Sequence, residues 1–337
     1  MFFNKDFFNQ LNQTQRMLQN MIRPFPQSII EQQKMFSKVI NPPYTYIRKI
    51  IPQSIIEQQK LFSKIINPYI TEIAKSLKKI ADGIKETEED IKTFKVAIVE
   101  LGYPPHESID IRKLRYIARD YRDNGKEHVE KYIDEFMLSF YDSQMLNNIS
   151  LEWEDIEHIK KRLPLLRNSI MAYNQGMYDL VVPSLLSQFE GIIVDGFRIK
   201  GYVNGAIISI LLDYLLLKNR DYNSSLSFDD AIHKYYSEKI LASFEHGASI
   251  KSDVSRNAIL HGADTNFGKQ TVALKVILLM DYIIRSVDNL KEETIILAQK
   301  EIEKYRKSER RKSRNKRKLA KQNARRVPSR ILCNVMG

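Results

Sequence analysis

The chain has 337 residues, 43% of them hydrophobic, enough for two domains or for one domain with long extensions; with only 12 glycines and few Pro-Gly turns it reads as mostly helical. Its one cysteine, Cys333, excludes an intramolecular disulfide framework and fits a reducing compartment. The net charge of +12 is uneven: residues 300–330 carry 15 Lys or Arg against 3 Asp or Glu, and the remainder of the chain balances to zero.

The N-terminal "MFFNKDFFNQLNQTQ" lacks the basic start and apolar run of a secretory signal. The longest apolar stretch, Ala206 to Leu217, is broken by Asp213 and falls short of the roughly 20 residues that span a bilayer. These features predict a cytoplasmic protein with no membrane partner.

Residues 1–24 read as a helical lead. Residues 25–73 hold a duplication: "PQSIIEQQKMFSKVINP" (26–42) returns as "PQSIIEQQKLFSKIINP" (52–68), with 15 of 17 positions identical. Each copy carries a capping box, Ser28 with Glu31 and Ser54 with Glu57, and each is expected to stop at Asn-Pro, 41–42 and 67–68. Two copies are too few for a solenoid, which leaves two short packing helices or a partner-binding surface.

Residues 74–150 form a charged helical region, with one long helix over 71–100 and a break at "GYPPHES" (102–108). Ser108 is a candidate cap for the next helix, "IDIRKLRYIARDYRDN". Its interleaved arginines and tyrosines suit single-stranded nucleic acid, while Ile111, Leu114, Ile117 and Tyr121 also trace a packed stripe under a solvated face.

Residues 151–290 predict about five core helices in a compact bundle. "YDLVVPSLLSQFEGIIVDGF" (178–197) reads as a central buried helix with Pro183 near its start, followed by helices over "AIISILLDYLLLK" and "FDDAIHKYYSEKILASFEHG". The last core helix is "TVALKVILLMDYIIRSVDNL" (271–290). Residues 291–337 form a basic helical or disordered tail. Within it Arg310, Arg311, Lys312, Arg314, Lys316, Arg317 and Lys318 are the candidate nucleic-acid contacts; solubility and anionic-membrane contact are the other uses of such a block.

The candidate chemistry lies in "SRNAILHGADTNFG" (255–268). Arginine and histidine at one fixed spacing arise by chance about 0.4 times in this composition, and a second pair, Arg122 and His128 in "RDNGKEH", is a decoy over a polar turn. Asparagine directly after the arginine makes the 256–261 match rarer. Ser252 or Asp253 can cap a short helix here, and Gly262 stands where a C′ glycine would end it. Asn257 and His261, four apart, share a face, and a histidine there suits proton exchange near neutral pH. The plain alternative is a capped helix with Arg256 ion-paired and His261 at its C-terminus.

"RNAILH" has the form of the Arg-x4–6-His motif with a polar residue directly after the arginine, and residues 160–290 resemble the HEPN domain, a helical bundle of prokaryotic toxins and antiviral systems. The flanks "YNQGMYDLVVPSLLSQFEGIIVDGF" (173–197) and "LHGADTNFGKQTVALKVILLMDYI" (260–283) resemble the corresponding hairpin and last-helix passages of that family. The resemblance implies an all-α fold: a HEPN-like helical bundle preceded by a helical N-terminal region and followed by a basic tail. It also implies a metal-independent endoribonuclease with no cofactor, a defence, abortive-infection or toxin-like effector working as a homodimer with its site at the interface. An antitoxin or other regulatory protein partner is the further implication. In that reading the RNA's 2′-hydroxyl is the nucleophile, His261 moves protons, Arg256 holds the phosphate and Asn257 orients one or the other. Glu190, a carboxylate on an apolar helix, either lines the site or is satisfied by a neighbouring helix. Some HEPN proteins lack catalysis, so a non-catalytic RNA-binding or scaffold protein is the alternative.

Overall fold

A computed structural model gives the fold and describes residues 53–219 and 227–326. The lead 1–24 and the first repeat copy, 26–42, lie outside those residues. Among the described residues every regular element is a helix and none is a strand, so this part of the chain is all-α. The described residues divide into two units. One takes 53–101, 105–132 and 227–228; the other takes 102–104, 133–219 and 229–326. The main run of the second unit starts at residue 133, ahead of the range 151–290 that the sequence assigns to the core bundle.

In the first unit, α1 (Gln53–Glu100) is a single helix of 48 residues that passes through Pro68, where the sequence predicts a stop. A proline removes one N–H and crowds the preceding turn, but the bonds on either side survive when the flanks favour helix, as "TEIAKSLKKIADGIKE" does. The second repeat copy is thus the start of a long helix and not a closed unit. Helix α2 (Ile111–Asn124) is capped by Asp110 rather than Ser108. The Asp110 Oδ1 accepts from the backbone N–H groups of Arg112 at 2.9 Å and Lys113 at 3.0 Å, and a short α3 (Lys126–Val129) follows. Leu114, Ile117 and Ala118 of α2 are buried, as are Ile91, Phe94, Ala97 and Ile98 of α1, with which it packs. The Arg-Tyr interleaving resolves into ion pairs: Arg115, Arg119 and Arg122 all reach Asp90, at 2.8, 2.9 and 2.8 Å.

The second unit begins with α4 (Ile133–Phe140), α5 (Ser143–Glu152) and α6 (Leu163–Asn174). The stretch expected to be one central helix is two, α7 (Tyr178–Leu186) and α8 (Phe189–Gly196). Pro183 lies inside α7 and contributes no N–H. The Ser184 and Ser187 hydroxyls donate to the carbonyls of Leu180 and Ser184, and the Gln188 N–H turns to Leu185 in a tightened last turn. The division before Phe189 coincides with that i−3 bond of Gln188. Helix α9 (Gly205–Leu212) runs into a wider π turn over Asp213–Lys218. Helix α10 (Asp229–Tyr235) does the same over Tyr236–Ile240 and stops there, seven residues short of the end expected from sequence.

A short α11 (Arg256–Leu260) precedes α12 (Gln270–Asp288), which is the buried element of this unit: every residue from Val272 to Ile284 is inside. α12 packs against α4, α7 and α8. Its two buried charges are satisfied. Lys275 Nζ donates to Asp253 at 2.6 Å; Asp281 accepts from Trp153 Nε1 at 2.7 Å and from Arg285 Nε at 2.7 Å. α8 meets α12 where Gly196 leaves room: a Cβ there would sit 2.3 Å from Val287 Cγ1. Helix α13 (Glu292–Arg326) starts as part of the core, with Ile295, Ala298 and Ile302 buried, and then carries the basic run as a continuous helix. No helix among the described residues is long and apolar enough to cross a membrane.

Candidate functional site

The motif helix α11 is five residues long and is fixed at both ends. Its cap is Ser255, not Ser252 or Asp253. The Ser255 hydroxyl oxygen accepts from the Ala258 N–H at 3.4 Å and donates to the Ala242 carbonyl at 3.0 Å, which ties the loop after α10 to the start of α11. At the other end His261 is the C-cap and Gly262 adopts φ +73°, the left-handed position where glycine is favoured. The Ala263 N–H reaches back to Ala258 O at 2.8 Å and the Gly262 N–H to Ile259 O at 3.1 Å, a complete Schellman closure. Ala258 and Ile259 are buried, and α11 packs on α7. That burial leaves Asn257 half-buried and His261 exposed on the outer side.

Asn257 and His261 line one cleft of about 560 Å³ together with Ser243, Phe244 and His246. The Phe244 ring is nearly parallel to His261, 21° between planes and 6.0 Å between centroids, and meets His246 edge-on at 5.2 Å. Phe244 and His246 are not candidates from the sequence, because its pattern carries the α10 helix straight through them. The polar, glycine-containing "EHGASIKSD" (245–253) is the signal that marks a loop here.

Arg256 points elsewhere. Its Nη1 is 3.1 Å from Glu190 Oε1 on α8 and donates to Asn257 Oδ1 at 3.4 Å, while its Nε is buried with no partner among the described residues. The pair is only partly shielded, with Arg256 20% and Glu190 31% exposed at the side chain. Glu190 is therefore satisfied by a neighbouring helix, and Arg256 is ion-paired as the plain reading of this helix expects. Asn257 links the pair to the cleft. Beneath lies Tyr236, fully buried, its ring edge-on to Phe189 at 5.8 Å and its hydroxyl without a partner among the described residues. Burial pushes the Tyr236 phenol far above its ordinary value; Glu190's charge adds to the rise and Arg256's opposes it.

The decoy pair separates in the first unit. Arg122 is bound to Asp90, and His128 Nε2 lies 3.7 Å from Asp120. In the basic tail, Arg310, Arg311, Lys312, Arg314, Lys316 and Arg317 are exposed on α13, and Lys318 follows them in the same helix. Lys312 pairs with Glu309 at 2.9 Å. Among the described residues no three His, Cys, Asp or Glu side chains group as a metal set. Comparison with protein-family models, with curated proteins and with solved structures returned no match.

Proposed function

We propose that the second unit is a HEPN-type bundle and that its cleft cleaves RNA through the RNA's own 2′-hydroxyl, in a defence or toxin-like effector. The observation that carries this reading is the motif helix: Asn257 and His261 open together onto a cleft walled by an aromatic ring. His261 is exposed and has no ion-pair partner among the described residues, so its imidazole is free to exchange protons with a bound substrate. In this proposal Arg256, ion-paired with Glu190 and donating to Asn257 Oδ1, serves to position Asn257 at the cleft. The exposed basic side chains of α13 supply the sequence-independent attraction to the RNA backbone. A homodimer and a regulatory protein partner belong to this proposal through the HEPN resemblance.

The test is incubation of purified protein with single-stranded RNA in EDTA. The expected products carry 2′,3′-cyclic phosphate ends and disappear with His261→Ala. Cleavage that survives His261→Ala, or that acts equally on DNA, overturns the proposal. The second reading, a non-catalytic RNA-binding protein, rests on the same run of exposed arginines and lysines on α13. It predicts RNA binding without cleavage.

A further inference from the structure

The cleft holds a group that the Arg-Asn-His motif leaves unused. His246 lies in the loop that follows α10, fifteen residues before His261, yet both line the same cleft and both rings stand against Phe244, at 5.2 and 6.0 Å. Both histidines are exposed, and among the described residues neither has an ion-pair partner. The histidines elsewhere in this unit differ: His158 lies 3.5 Å from Asp288 and His233 2.8 Å from Asp213. The loop is not loosely attached, because Ser255 binds the Ala242 carbonyl and so anchors the chain just before Phe244 to the N-terminus of α11. Arg256, by contrast, is engaged with Glu190 and does not line the cleft.

Cleavage of RNA by its 2′-hydroxyl needs two proton transfers at opposite ends of one phosphate. A base takes the proton from O2′ as O2′ bonds to phosphorus. An acid gives a proton to O5′ as the P–O5′ bond breaks. The products are a 2′,3′-cyclic phosphate and a 5′-hydroxyl, and the two protons balance with no further reactant. We propose that His246 is a second catalytic residue of this cleft, forming with His261 a base–acid pair within one chain, with Phe244 as the wall that spaces the two rings. The inference rests on the ribonuclease reading and deepens it: each protomer then carries both proton-transfer groups.

The experiment compares the full chain with its His246→Ala, His246→Gln and His261→Ala variants on two RNA substrates. One has the ordinary O5′ leaving group. The other has sulfur in its place at the scissile bond, which departs without protonation. On ordinary RNA, all three variants are expected to lose about 100-fold or more in rate, the range of one general acid or base. On the sulfur substrate, loss of the acid histidine is expected to be repaired and loss of the base histidine is not, so one position of the pair recovers and the other stays slow. Circular dichroism checks that the variants remain folded, and the exposed position of His246 makes that the expected result. His246 variants that cleave ordinary RNA like the parent overturn the inference while leaving the ribonuclease reading intact. Recovery at both positions or at neither also overturns it. A parent protein inert on both substrates overturns the ribonuclease reading itself, and the pair with it.

Discussion

Gly262 sets the backbone at the end of the motif helix, and Tyr236 is buried near the Arg256–Glu190 pair. Gly262 at φ +73° lets the chain turn out of α11 directly after His261, and an L-residue there is strained whether or not space is free. Gly262→Ala is expected to destabilise the protein by about 1 kcal/mol, read as a lowered melting midpoint. Because the strain falls on the residue next to His261, the proposed RNA cleavage should drop even at temperatures where the variant is fully folded. Tyr236 works in the other direction. Its buried hydroxyl meets no partner among the described residues, so Tyr236→Phe should be neutral or stabilise by up to roughly 1 kcal/mol, a rise of a few degrees in thermal denaturation. A clear loss of stability would mean that the hydroxyl has a partner after all. At this scale the sequence is partly legible. Asn257, His261 and the Gly262 stop can be named from it because capping and helical spacing are local rules. Phe244 and His246 are missed, since the apolar pattern runs α10 on past Ile240, where the π turn ends it, and only the polar, glycine-containing stretch 245–253 signals a loop. The Arg256–Glu190 pair joins residues 66 positions apart, a distance that pattern reading does not bridge.

Between elements, the α1–α2 junction is an ionic joint with a calculable pH response. Burial alone would raise the Asp90 carboxyl, but the guanidinium groups of Arg115, Arg122 and Arg119 outweigh it and hold it below its ordinary value of 3.8. A carboxyl lowered by folding contributes stability above its unfolded value, and that contribution is lost as pH falls through the folded value. Asp90→Asn is therefore expected to destabilise the protein by about 2 kcal/mol at neutral pH. That is below the usual effect of breaking a buried pair because the arginines are 28–47% exposed. The difference between variant and parent should shrink as the pH is lowered below about 4, in denaturation series at several pH values. A gap that stays constant from neutral to acid pH would show that the joint is not ionic. A second junction, between α8 and α12, is steric. Gly196→Ala puts a methyl 2.3 Å from Val287 Cγ1 and should destabilise by roughly 1–3 kcal/mol, with Val287→Ala in the same chain recovering part of the loss. Helix type is legible along most of the chain, because apolar residues recur at helical spacing from α1 to α12. Helix ends are less so. Pro68 does not stop α1, and a tightened turn at Gln188 separates α7 from α8, neither of them set by the apolar pattern.

Across the whole molecule the governing fact is where the charge sits. The excess of +12 lies in residues 300–330, and α13 carries most of it, so the RNA affinity and the cleft chemistry proposed above can be tested separately by truncation, provided the cut respects the fold. A cut at residue 300 does not. It removes Ile302, which is buried, Glu301, which accepts from the Tyr214 hydroxyl at 2.5 Å, and Tyr305, whose hydroxyl accepts from Asn204 Nδ2 at 3.2 Å. Loss of function would then mix unfolding with loss of charge. A chain ending at Glu309 keeps these interactions and sheds 11 basic and no acidic residues, taking the net charge from +12 to +1. Its melting midpoint should match the parent's. Its affinity for single-stranded RNA should weaken most at low salt, and the plot of log affinity against log salt should flatten by about 0.7 for every phosphate that the tail no longer neutralises. If the cleft is the active site, the truncated protein still cuts a short RNA at the parent's maximal rate while KM rises, because the tail contributes binding that is equal in the ground and transition states. A protein that works only by holding RNA through α13 would instead lose its whole activity with the same cut. An unchanged salt slope would show that these side chains do not touch the phosphates.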